Sequence, residues 1–513
     1  MSLKPTDAEL IIGIVARIGV DTTAVVKTLK DELSEYGYES EEIHVTDLLQ
    51  GLKKQLNIVQ KPADKRYESL IAACNEFRSD AGMADVMAQL AMLEITALRG
   101  ETGPGTVTER RSAYIINQIK RPEEFELLRS VYGEHYIQIS CHATLQAREA
   151  RLTKRIAADH PENSRLAVWE ATVADLIQND EAQEDQPFGQ RVRDVFPLSD
   201  VVVDARDRSH IKSNLERFLR ALFGDNSVTP TPQEYGMELA STASQRSSDL
   251  ARQVGAAILN RNNEVQALGC NEVPKAGGGT YWEGDDPDGR EFNLGADAND
   301  ARKREVLIDL VIRLGKAGGL KEGLDSPEAI QKFIFDRDDK IISDSQVMDS
   351  LEYGRSVHAE MNAITDAARG GRAIRDCSLF CNTFPCHNCA KHIVASGLSE
   401  VVYLRPYPKS YARELFDDSI CIDPEIASEK LVNFHQFIGI TGPMYARVFT
   451  KSRWKKDGGR VPEFVKAGGS FVRRTPIPAY PGVEALLLDD LSKLLTDKGY
   501  LDPAGEAPEG VDA

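Results

Sequence analysis

Apolar positions first cluster at Leu10-Ile-Ile-Gly-Ile-Val-Ala16, a run of strand length, and a glycine-containing turn then leads into a helical period from Thr22 to about Tyr36. Further buried strands are predicted at Ala113–Ile119, Tyr136–Ser140 and Val201–Asp204, with helical stretches between them that include Tyr67–Leu98, broken near Gly82. Strands that alternate with helices predict a parallel α/β sheet. The polar segment Gly224–Gln233 carries two prolines and reads as a linker. After it the pattern predicts a helix over 234–252, then strands at Val254–Leu259 and Glu264–Gly269 joined by the polar turn Asn-Arg-Asn-Asn. Helices are expected at Ala301–Leu314, Pro327–Asp336 and Gly482–Lys498, and strands at Ser378–Asn382, Val401–Leu404 and Leu431–His435. No internal repeat interrupts this order.

A chain of 513 residues exceeds one ordinary core and predicts two to four domains at roughly 150 residues each. The pattern divides it into 1–223, a linker at 224–233, a second domain over 234–451 with an insertion at 283–350, and an extension over 452–513 rich in Gly, Pro and charge. No run approaches the roughly 20 apolar residues that cross a bilayer, the start does not resemble a signal peptide, and eight cysteines are too few for a disulfide framework. A reducing cytoplasm is the expected setting. The net charge of −18 argues against a protein that grips long nucleic acid through its phosphates, although Arg453-Trp-Lys-Lys456 is a local basic run. It leaves room for a small nucleotide held by a few local cations.

The densest chemistry lies at His358-Ala-Glu360 and Pro385-Cys-His-Asn-Cys389. His-x-Glu followed by Pro-Cys-x-x-Cys is the signature of zinc-dependent nucleobase deaminases. Cys386 and Cys389 are three apart, so a helix starting at Pro385 would place both thiols on one face of its first turn. The positive end of that helix favours the thiolates that zinc needs. His358 supplies an imidazole from the start of a second helix. Three protein ligands leave the fourth zinc position open, as in catalytic rather than structural sites. Glu360 stands beside the metal without being needed as a ligand, placed to move protons between water, base ring and leaving amine. Cys377 and Cys381 alternate through a strand-like run and read as core residues.

The strand, glycine turn and helix at 10–36 have the context of a phosphate-binding loop. The loop is degenerate: Gly13 and Gly19 are six apart, no Lys follows Gly19, and Val20 takes the place of the phosphate lysine. Phosphoryl transfer is therefore not expected, while Thr22 and Thr23 are candidates to cap the helix or touch a phosphate. Arg148, Arg151 and Arg155 share a predicted helix face, comparable in position to the lid arginines of nucleotide kinases.

On Arg252-Gln-Val-Gly-Ala-Ala, Gly269-Cys-Asn-Glu-Val-Pro274, the His358 and Cys386 motifs, Thr383-Phe384 and Val401-Val-Tyr, residues 234–450 resemble the deoxycytidylate deaminase branch of the cytidine deaminase-like fold. The whole chain resembles bacterial two-domain deaminases in which a P-loop-kinase-like domain precedes the deaminase; the degenerate loop, Arg129-Ser-Val-Tyr-Gly133 and Arg405-Pro-Tyr-Pro-Lys-Ser-Tyr411 carry that likeness. The resemblance implies an α/β fold throughout: a P-loop-NTPase-like parallel sheet with helices, then an α/β/α domain with a mixed sheet. It implies hydrolytic deamination of dCMP or dCTP, Zn2+ as cofactor, Asn271 on the sugar, and Thr383 and Phe384 shaping the base pocket. Arg252, Arg246, Lys409 and Ser410 are candidate phosphate contacts. It further implies phage defence by depletion of deoxycytidine nucleotides, a small regulatory RNA, a deoxynucleoside triphosphate effector and a homo-oligomer, typically a hexamer. The alternatives are a housekeeping dCMP deaminase of thymidylate biosynthesis, a deaminase acting on a base within nucleic acid, and an N-terminal half that senses a nucleotide or RNA and gates the deaminase.

Overall fold

The structure is a computed structural model, and it describes residues 9–99, 111–163, 165–183, 186–319, 324, 326–336, 342, 345–451, 461, 463–469 and 480–502. The basic run at 453–456 lies outside the described residues. The chain is α/β and forms two compact units, one of Met1–Glu234 with Gln436–Ala513 and one of Tyr235–His435. The segment after Gln436 thus belongs with the first unit, where the short strand Gly439–Ile440 pairs antiparallel with Val201–Val202.

In the first unit β1 (Leu10–Ala16), β2 (Glu39–His44), β3 (Ser112–Asn117), β4 (Tyr136–His142) and β5 (Val201–Asp204) lie in the order β5-β4-β1-β3-β2. The pairs β1–β3, β1–β4, β2–β3 and β4–β5 are all parallel. β1 and β4 are buried along their whole length, the mark of a strand covered on both faces. β2 has no apolar run because it is an edge strand: of Glu-Ser-Glu-Glu-Ile-His only Ile43 is buried. The helical stretch expected over 67–98 is two helices, Ala63–Ala81 and Val86–Leu98, parted at Gly82, whose φ of 68° ends the first. No single helix among the described residues is long and apolar enough to cross a membrane.

Two expectations for the segment around the end of β1 change. Gly13 lies inside β1, where a Cβ would come within 2.3 Å of the Tyr136 hydroxyl, so it serves strand packing and is no part of a phosphate loop. Thr22 and Thr23 open the helix Thr22–Ser34 but do not cap it. The cap is Asp21, whose carboxylate accepts from the Ala24 N–H at 3.1 Å. Gly19 has φ of 93° and lies against the Arg148 backbone, 2.9 Å from where its Cβ would be.

The second unit carries β6 (Gly255–Leu259), β7 (Val265–Cys270), β8 (Ser378–Thr383), β9 (Glu400–Arg405), β10 (Ile420–Ile422) and β11 (Val432–Gln436), ordered β10-β11-β9-β8-β6-β7. β6 pairs antiparallel with β7 and β8, and β8 pairs parallel with β9, so the sheet is mixed. The helix expected over 234–252 spans only Pro232–Ser244. Beyond it the chain is tied to the end of β7 instead: the Ser247 hydroxyl donates to the Asn271 carbonyl at 2.7 Å, and Glu272 accepts from the Ser248 N–H at 3.0 Å. Within the insertion, helices Ala298–Lys316 and Pro327–Phe335 enclose a small core of Leu307, Val311, Ile330 and Ile334.

Candidate metal centre and its cavity

Two helix N-termini of the second unit build the centre. His358 is the N-cap of helix Ala359–Arg369, and Cys386 is the N-cap of helix His387–Ser396. The second helix thus begins two residues later than Pro385 predicts. Cys386 sits in extended backbone at its mouth and Cys389 in its first turn, and the Ala390 N–H closes the first helical bond onto the Cys386 carbonyl at 2.9 Å. The polypeptide can bring the first helix this close to the sheet because position 269 has no side chain. A Cβ on Gly269 would stand 2.2 Å from the Ala359 carbonyl oxygen and 2.5 Å from the Ala363 nitrogen.

His358 Nδ1 lies 3.3 Å from Cys386 Sγ and 3.4 Å from Cys389 Sγ, and the three ligand atoms all fall within 4.8 Å of one another. Glu360 is buried, with Oε2 3.4 Å from Cys389 Sγ. Hydrogen bonds from Cys389 and His358 hold the Cys386 thiol well below its ordinary range. The same contact with Cys386 pushes His358 up to about 9, and burial, reinforced by the Cys386 charge, pushes Glu360 up. One thiolate, a second thiol and an imidazole nitrogen, all facing one point, form the borderline-soft donor set that suits zinc. Among the described residues no other group of three such side chains converges in this way. Cys377 and Cys381 lie instead among the core residues, and burial pushes Cys381 well above its ordinary range.

His358, Glu360 and Cys386 line a cavity of about 270 Å³ together with Asn271, Thr383, Phe384 and Arg252. The Asn271 amide already bridges the backbone of the turn, donating to the Arg252 carbonyl and accepting from the Val254 N–H, both at 2.7 Å. One N–H and one lone pair remain for a ligand. Thr383 is buried, and its Oγ1 has no hydrogen-bond partner among the described residues. Phe384 packs edge-on to Tyr403 with ring centroids 4.9 Å apart.

Lys409 and Ser410 do not line the cavity. Lys409 pairs with Asp349, and the Ser410 hydroxyl donates to the Pro385 carbonyl at 2.8 Å, bracing the approach to Cys386. Arg246 is also outside the lining, stacked 3.5 Å over the Trp282 ring and donating to the Tyr281 carbonyl. Sequence reasoning missed Tyr407, Arg355 and an acidic wall of Asp249, Glu291 and Asp297, all of which line the cavity. Glu291 and Asp297 come from the insertion and carry no motif. The Arg252 guanidinium lies 5.6 Å from the Tyr407 ring centroid, a cation–π contact that sequence spacing could not have shown.

Fold and donor set define an α/β unit with a His-Cys-Cys candidate metal centre. Residues 230–405 match the family model of the cytidine and deoxycytidylate deaminase zinc-binding region. The chain is 43% identical to the deoxycytidylate deaminase of Enterobacteria phage T2 over 54 residues, which are 10% of this chain and 29% of that one. It is 25% identical to the deoxycytidylate deaminase of Saccharomyces cerevisiae over 268 residues, 49% of this chain and 67% of that one. The chain therefore spans under a third of the phage relative. A solved dCMP deaminase from the cyanophage S-TIM5 aligns over 40% of this chain and 98% of its own at 17% identity, with a TM-score of 0.22 that carries no weight here.

Proposed function

We propose that the chain is a zinc-dependent deaminase that converts a deoxycytidine nucleotide, dCMP or dCTP, and water into the deoxyuridine nucleotide and ammonia. The observation that carries the reading is the buried Glu360 carboxylate set against Cys389 and lining one cavity with His358 and Cys386. His358, Cys386 and Cys389 would hold the metal. Zinc, when bound, supplies the Lewis acidity that makes water a nucleophile at neutral pH. Glu360 takes one proton from the attacking water and delivers it to the base ring, then takes the water's second proton from the hydroxyl added to the ring and delivers it to the amine, which departs as ammonia. Its burial supports this role, because a carboxyl held above its ordinary range can carry the proton in either direction.

Phe384 and Tyr407 offer apolar faces to the base, and the unpartnered Thr383 hydroxyl offers it a hydrogen bond. Asn271 is proposed for the sugar. For the phosphates the support lies with Arg252, which lines the cavity and makes no ion pair among the described residues. Lys409 and Ser410 retain a part only through the segment they brace. The acidic wall disfavours a long polyanionic strand in this cavity, which supports a mononucleotide substrate over a base within nucleic acid.

The parallel order β2-β3-β1-β4-β5, with its switch point at β1, supports a P-loop-kinase-like reading of the first unit. Phage defence by nucleotide depletion, a cytoplasmic setting, a deoxynucleoside triphosphate effector, a small regulatory RNA and a homo-oligomer are proposed on the resemblance of the two-domain arrangement. The test is ammonia release by zinc-quantified protein on cytidine, dCMP, dCTP and CTP. Turnover of dCTP supports depletion, turnover of dCMP alone supports a biosynthetic enzyme, and turnover of none by zinc-loaded protein overturns the proposal.

A further inference from the structure

The carboxyl end of β1 has lost the lysine of a phosphate loop, yet cations converge there from elsewhere. Lys120, three residues past β3, donates from Nζ to the Ala16 carbonyl at 2.9 Å. Arg148, with only 3% of its side chain exposed, reaches from helix Leu145–Asp159 to within 3.5 Å of the Ile18 carbonyl, and Arg17 stands beside it. What these groups face is the chain's own helix Glu170–Glu181. Asp180 accepts from the Ile18 N–H and from Lys120 Nζ, each at 2.7 Å, and Glu181 accepts from Arg148 Nη2 at 2.9 Å.

The two carboxylates do not complete the cluster. Three cations meet two acids, Arg17 Nε stays 3.9 Å from Glu181, and Arg17 Nε and Arg148 Nε are buried without a hydrogen-bond partner among the described residues. Buried donors are rarely left so. Burial, together with the Arg17 charge, holds Arg148 below its usual range, in keeping with a local positive surplus. Asp180 and Glu181 also close the last turn of their helix, where the macrodipole disfavours negative charge. They are held there by the cations and opposed by their own helix, as a displaceable group would be.

We propose that the end of β1 is a site for an oligophosphate, which helix Glu170–Glu181 keeps occupied with Asp180 and Glu181, so that a phosphate chain enters only by displacing them. A di- or triphosphate brings more oxygens than two carboxylates and can serve the Ile18 N–H, Lys120 and both unpartnered guanidinium nitrogens together. Displacement frees the end of that helix, which makes the site a switch as well as a binding site.

The test is calorimetry of the full-length protein with inorganic triphosphate. The double variant Asp180→Asn, Glu181→Gln is expected to bind at least about 10-fold more tightly than the wild type, and adding Lys120→Met is expected to abolish the gain, which excludes binding at the deaminase cavity. A cooperatively melting double variant that binds no better than the wild type overturns the proposal. Should that variant not fold, hydrogen exchange of the wild type in excess triphosphate decides: faster exchange at 178–183 with protection at 17–24 supports displacement, and no change at either overturns it. Equal affinity for triphosphate and ATP supports recognition of the phosphate chain alone, and tighter ATP supports a nucleotide as its source.

Discussion

The Asn362 side chain donates to the Cys270 carbonyl at 2.7 Å, and both residues are buried. This bond ties the helix that presents His358 and Glu360 to the end of β7. Its loss leaves a buried carbonyl unsatisfied, so Asn362→Ala is expected to lower stability by about 1–3 kcal/mol in urea unfolding. Zinc occupancy should fall with it, because His358 is no longer held against the two cysteines. An unchanged midpoint and full zinc content would show that the bond is incidental.

His358→Ala, Cys386→Ser and Cys389→Ser are each expected to cut bound zinc from about one per chain to a small fraction, by metal analysis after dialysis against a weak chelator. Cys377→Ser and Cys381→Ser are the controls: both thiols lie in the core, and zinc should stay with the protein.

Glu360→Gln removes the proton carrier while keeping shape and burial. Zinc content should match the wild type, and kcat should fall by about 10²–10⁴-fold, the range for a lost general acid–base. Near-normal turnover by a zinc-replete variant would remove Glu360 from the mechanism.

Thr383→Val deletes a buried hydroxyl that has no partner among the described residues and keeps the side-chain shape. The melting temperature should hold or rise, since no protein hydrogen bond is lost. KM for the nucleotide, however, should rise by roughly 10-fold, the equivalent of one hydrogen bond at about 1.4 kcal/mol. A drop in stability with unchanged KM would place the hydroxyl in the fold and not in the pocket.

In the first unit Arg99 is clamped between Glu9 and Glu484, and the Tyr480 hydroxyl donates to Glu9 at 2.7 Å. The cluster fastens the helix Tyr480–Asp497. Arg99→Met strands two buried carboxylates and is expected to cost about 3–5 kcal/mol. Limited proteolysis should then cut near residue 480 well before the rest of the chain, and equal protease resistance would argue against the clamp.

Much of this was legible along the chain. β1, β5 and β6 follow from apolar runs because buried strands need such runs, and the zinc donors follow from spacing because both motifs sit at helix starts, where a few residues fix the direction of each side chain. The polar edge strand β2 was not legible, since a strand with both faces partly solvated leaves no hydrophobic period. Nor was the early end of helix Pro232–Ser244, beyond which Ser247 and Ser248 bond to Asn271 and Glu272, 24 residues away along the chain.

What the sequence determined by itself is therefore local: the α/β alternation, the His-x-Glu and Cys-x-x-Cys groups, and the loss of a phosphate lysine after β1. The tertiary structure alone decided what those groups face. It brought His358 and Cys386, 28 residues apart, to 3.3 Å, set Glu291 and Asp297 of the insertion into the cavity wall, and seated Asp180 on the N–H of Ile18, 162 residues away. Charges so distant along the chain carry no periodic signal, and only the packing that burial drives can bring them together.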